Sequence, residues 1–85
     1  MPTTPRTAGN RLRTLRGSLG LSLSEVERLT RELAALRHNP RLRVPKGRLS
    51  DIETKGRTPG IHCMYALARA YRCDVRKLMG FYGLT

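Results

Sequence analysis

The sequence predicts an all-α domain of five short helices. Apolar residues recur at steps of three and four in successive segments, the period of one helix face. No stretch alternates with period two, as a half-buried strand would. Proline, glycine and small polar residues fall between the periodic segments and divide them. The chain has 85 residues, room for one domain. A chain this short buries only about 60–65% of its unfolded surface, so its core is thin. Hydrophobic residues make up 39%, enough for a modest globular fold and too many for full disorder.

Met1 to Gly9 contains Pro2, Thr3, Thr4, Pro5, Thr7 and Gly9 and shows no periodicity. It reads as a flexible arm over residues 1–9, carrying Arg6, with the domain proper at 10–85. Asn10 can cap a first helix that sets Leu12, Leu15 and Leu19 on one side, with Arg11, Arg13 and Arg16 on the same segment. Gly17 and Ser18 weaken that helix, and Gly20 stops it. Ser22-Leu23-Ser24-Glu25 has the spacing of a capping box, a hydroxyl at the cap and a carboxylate three residues on. A strong amphipathic second helix follows through Leu23, Val26, Leu29, Leu33 and Leu36. Glu27 is placed to pair with Arg31 one turn later.

The pattern then breaks. Residues 37–45 hold Pro40, Pro45, Arg37, Arg41 and Arg43 and read as extended or looped. Pro45 suits the first turn of a third helix that runs to about Thr54, with Leu49 and Ile52 inward. Lys55-Gly56-Arg57-Thr58-Pro59-Gly60 is a turn. Ile61, Met64, Tyr65, Leu67, Ala68 and Tyr71 make a fourth amphipathic helix. Asp74 caps a short fifth through Val75, Leu78 and Met79. Phe81, Tyr82 and Leu84 either close the end of the core or meet a symmetric partner.

Charge separates the function classes. Lys and Arg number 17 against 6 acidic residues, a net charge of +11. Fourteen of the cations are Arg, whose planar fork grips phosphate and guanine edges bidentately. A polyanion binder leads. No apolar run approaches the ~18 residues needed to cross a bilayer, and no signal-peptide apolar region follows Met1. Cys63 and Cys73 are too few for a disulfide scaffold and read as reduced thiols. A zinc site from His38, His62, Cys63 and Cys73 matches no usual ligand spacing. No cofactor, small-molecule ligand or metal is expected. An enzyme is not expected either: His62 adjoins Cys63, and helix neighbours point about 100° apart, so the two do not pair readily.

An Arg-bearing first helix, Gly20-Leu21-Ser22, a capped second helix, Leu49-Ser50-Asp51-Ile52-Glu53, Pro59 six residues after Glu53 and then an apolar helix occur in this order. Together they resemble the lambda-repressor/Cro-type (XRE-like) helix-turn-helix family over roughly Asn10 to Gly80. The resemblance implies a five-helix domain that binds duplex DNA, usually as a homodimer on a two-fold-symmetric operator. It also implies an ion pair between Arg16 and Glu53, joining the first helix to the recognition helix. Two departures stand out. The second helix is extended and an arginine-rich insertion of roughly ten residues precedes the recognition helix, where the family has a short turn. Pro45 stands where the family commonly has a capping Ser or Thr, and Gly47 costs the helix about 1 kcal/mol of propensity.

If residues 45–54 enter the major groove, the polar side chains of the first turns reach base edges. These are Lys46, Gly47, Arg48, Ser50 and Asp51. Lys46 or Arg48 could donate to guanine, Asp51 could accept from cytosine, and Gly47 would let the backbone come close. Phosphate contacts are expected from Arg11, Arg13, Ser22, Leu23, Arg41, Arg43, Lys55 and Arg57, with Arg37 adding to the strip from the insertion. Six such contacts would give log K a slope of about −5 against log salt. Arg28, Arg31, Arg69, Arg72 and Arg76 read as a solvated face. The expectation is a cytoplasmic, nucleoid-associated transcriptional regulator, most simply a repressor. A DNA-binding antitoxin is a near variant, and the chain could also be the DNA-reading head of a longer protein. An RNA-binding or ribosome-associated protein is the alternative of a different class. Against it, residues 1–64 contain no aromatic side chain on which bases could stack.

Overall fold

In the computed structural model, which describes residues 4–84, the chain is helical from its fifth residue. The first helix, α1, spans Pro5–Ser18. The Thr4 hydroxyl caps it, accepting from the Thr7 N–H at 3.1 Å. Pro5 occupies the first turn, where a missing N–H costs nothing. The flexible arm expected over residues 1–9 is thus corrected at residues 5–9, and Met1, Pro2 and Thr3 lie outside the described residues. Gly9 misled the reading because it serves packing and not chain breaking. A Cβ there would run into the Ile52 carbonyl oxygen and come within 2.9 Å of that of Glu53. The missing side chain lets α1 lie directly on the backbone of a later helix.

α1 ends in a Schellman turn. Leu21 N–H donates to the Arg16 carbonyl and Gly20 N–H to that of Gly17, with Gly20 at φ 71°. Leu19, expected inward, is 45% exposed. It caps the helix after the last turn that faces the core. The second helix, α2, spans Leu23–Leu36 and opens with the expected capping box. Glu25 N–H donates to the Ser22 hydroxyl at 3.0 Å, and Ser22 N–H to the Glu25 carboxylate at 3.1 Å. The last turn of α2 runs past the core, which leaves Leu36 75% exposed where the periodicity had set it inward. Glu27 does not take Arg31 as its partner. It turns to the start of the third helix, and the i,i+4 pair on α2 is Arg28 with Glu32.

The insertion is folded. A 3-10 turn spans Pro40–Leu42, and Leu42 and Val44 are buried. The chain returns along α2 until Val44 N–H donates to the buried Thr30 hydroxyl at 3.0 Å. The third helix, α3, spans Lys46–Thr54. Pro45 precedes it in extended conformation instead of entering its first turn. The fourth, α4, spans Ile61–Ala70 and the fifth, α5, Val75–Phe81, capped by Asp74. Ile61, expected in the core, is 78% exposed. It is the first residue of α4, and the buried side of that helix begins at Cys63 and Met64.

The described residues form five α-helices and no strand. α1 packs on α3, and α4 lies against α2 and α5. Leu12, Val26, Leu49, Ile52, Leu67 and Leu78 meet in the core. Phe81 and Tyr82 pack partly against it, and Leu84 is exposed. Among the described residues no helix is long and apolar enough to cross a membrane.

Candidate nucleic-acid interface

α3 is the element on which the expected base-reading residues stand, and its two sides differ. Leu49, Ile52 and Glu53 are buried. Lys46, Gly47 and Arg48 are exposed, and Ser50 and Asp51 are half-buried. At about 100° per residue, Gly47, Ser50, Asp51 and Thr54 form the outward stripe. Thr54 was missed by sequence reasoning, and its hydroxyl donates to the Ser50 carbonyl at 2.7 Å. Asp51 lies 3.5 Å from the Lys55 ammonium, so its carboxylate is partly engaged.

Three separate ties fix this helix. The Arg16 guanidinium donates to both oxygens of Glu53, at 2.8 and 3.0 Å, and to the Leu21 carbonyl at 2.8 Å. Glu53 is 2% exposed, so the pair is a bidentate one formed largely away from water. The hydrogen bond to Glu53 holds Arg16 above its ordinary pKa. At the other end of α3, Lys46 N–H donates to the Glu27 carboxylate at 2.9 Å. Pro45 offers no side-chain cap, and a carboxylate from α2 takes its place. Behind Pro45, the Thr30–Val44 bond holds the incoming chain.

Gly47 has open space around it. A Cβ there would meet nothing within 4 Å. The fold itself therefore does not require a glycine in this turn of α3, although glycine weakens a helix.

The expected phosphate-contacting residues are not all brought together. Lys55 and Arg57 are exposed in the segment after α3. Arg6, assigned to the arm, comes to the same place: a Cβ on Gly56 would lie 3.6 Å from the Arg6 backbone nitrogen. Arg13 is exposed on α1. Arg11 is drawn elsewhere, its guanidinium 5.9 Å from the centre of the Phe81 ring on α5. At the start of α2, the Ser22 N–H is already bound to Glu25, whose carboxylate lies at the helix end that Ser22 and Leu23 were expected to offer to an anion. Arg43 is exposed on the insertion. Arg41 lines a shallow depression together with Arg48 and the start of α4.

Burial pushes the Cys63 thiol up to about 11, against a smaller opposing effect of Arg48. The half-buried Cys73 thiol is also raised by burial. Both are thiols near neutral pH, poor material for a nucleophile. Among the described residues no three His, Cys, Asp or Glu side chains come together as metal ligands. No model of a protein family, no curated protein and no solved structure matches this chain.

Proposed function

We propose that this protein is a sequence-specific duplex-DNA-binding transcriptional regulator of the lambda-repressor/Cro helix-turn-helix type, reading the major groove with α3. The observation that carries the reading is the division of α3. Its inner side is tied by Arg16–Glu53 and two aliphatic side chains, and its outer side leaves Gly47, Ser50, Asp51 and Thr54, flanked by the exposed Lys46 and Arg48, for a partner. Arg6, Lys55 and Arg57 at one end and Arg41, beside Arg48, at the other supply cations for phosphates, while Arg48 itself is kept for a base edge. Duplex is favoured over single-stranded RNA because each of the four aromatic side chains is buried or half-buried, leaving no exposed stacking platform. The dimer implied by the resemblance belongs to this proposal, and so does action as a repressor on the nucleoid.

The test is selection of bound sequences from a random duplex pool, followed by gel-shift competition. A selected duplex should displace the protein at least tenfold better than random duplex or structured RNA, and a palindromic motif would report the dimer. Lys46→Ala and Arg48→Ala should flatten the preference, each by about 1–3 kcal/mol at the base pair it reads. Arg57→Ala should weaken binding to all sequences alike. Equal competition by RNA would sink the regulator reading. Unchanged specificity in both α3 variants would show that another element reads the sequence.

A further inference from the structure

Ile61 is the most exposed large apolar side chain among the described residues, at 78%. The core gains almost nothing from it. It stands at the start of α4 between two shallow depressions. Arg41 and Arg48 line one, and Arg37 lines the other, with His62 common to both. No carboxylate lines either of them. The insertion that carries Arg37 and Arg41 is held in place by the buried Leu42 and by the Thr30–Val44 bond. These cations therefore start from an ordered backbone, which lowers the entropy cost of a contact.

We propose that Ile61, with Arg37 and Arg41 from the insertion, forms a second DNA contact that grips one backbone strand beside the groove read by α3. It rests on the duplex-DNA reading above. A nucleic-acid strand alternates an apolar sugar face with an anionic phosphate. An apolar knob bracketed by guanidinium groups has the complementary pattern. Ile61 packs on a deoxyribose, and Arg37 and Arg41 take the phosphates on either side. Arg48, on α3 and lining the same depression as Arg41, makes this surface continuous with the base-reading one. An acidic protein would also be attracted here, but it would have no reason to adjoin α3. The insertion thereby widens the footprint instead of merely joining two helices.

The experiment measures affinity of the full chain for its selected duplex over a salt series, with hydroxyl-radical footprints. Ile61→Ala should weaken binding roughly fivefold, the worth of one to two buried methylene groups. It should do so equally on specific and non-specific duplexes. Arg41→Ala should reduce the salt slope by about 0.9, and Arg41→Lys should restore it. Both alanine variants should lose protection on one flank of the site while keeping the sequence preference. Both positions are exposed, so thermal midpoints should match the parent. If affinity, slope and footprint all stay at parent values while the parent still prefers its duplex, the second contact is refuted and the α3 reading stands. If Ile61→Ala alters sequence preference instead, Ile61 touches a base and the backbone assignment is wrong. If the parent shows no duplex preference, both fall together.

Discussion

Glu53 is a carboxylate in a chain of +11, and its surroundings account for its presence. Each of the 6 acidic residues has an intramolecular partner. Glu25 closes the capping box, Glu27 holds the first N–H of α3, Asp74 caps α5, and Glu32, Asp51 and Glu53 pair with Arg28, Lys55 and Arg16. Only the Glu53 pair is largely removed from solvent. Glu53→Ala should therefore cost about 3–5 kcal/mol, because it leaves Arg16 partly buried without its counter-ion. A denaturant titration would read this as a fall in midpoint. A loss under 1 kcal/mol would mean that the pair is solvated and replaceable. The residues of this pair are 37 positions apart, and no local pattern joins them. Only the family resemblance made the pair legible. Thr30 was not legible at all. A threonine on an amphipathic helix looks like part of its polar face, and its buried bond to Val44 depends on where the insertion returns.

At the level of elements, α3 sets folding against recognition. Gly47 weakens the helix while meeting no neighbour. Gly47→Ala should stabilise the fold by roughly 0.5–1 kcal/mol. If backbone approaches a base pair at this position, the same change should weaken specific binding. A stabilised variant with full affinity would remove Gly47 from the interface. The caps give α2 and α5 a dependence on acid. Hydrogen bonds from Ser22 hold the Glu25 carboxyl below its ordinary range, and those from Arg76 do the same for Asp74. Depressed carboxyls contribute stability above their unfolded pKa values and lose it as pH falls through the folded ones. The thermal midpoint should thus be flat down to about pH 5 and fall below about pH 4. A midpoint that fell between pH 7 and 5 would show that these caps do not set the dependence. Helix positions were largely legible here, because most have their own period, and α2 and α5 also have their own caps. The ends were less so. Pro5 and Gly9 look like breakers, yet one starts α1 and the other lets it touch α3.

Across the whole molecule, the cations differ in what they meet. Arg11 turns to Phe81 and Arg28 to Glu32, whereas Arg6, Lys55 and Arg57 gather beyond the C-terminal end of α3 and Arg41 with Arg48 near the start of α4. This division is what the salt slope of about −5 would measure. Charge alone was plain in the sequence, but its sorting was not, since that depends on which faces α1 and the insertion present. Ile61 is the clearest case. Its spacing matched a core position, and only the packed neighbours leave it outside.

The bond between Thr30 and Val44 has one more use. Val44 is 1% exposed, and its N–H lies outside every helix. Solvent deuterium can reach that amide only when the insertion lifts from α2. One resonance therefore clocks the opening of this segment, separately from the unfolding that frees the amides of α4. A shared rate would mean that the segment opens only with the whole domain, and a faster one that it moves by itself.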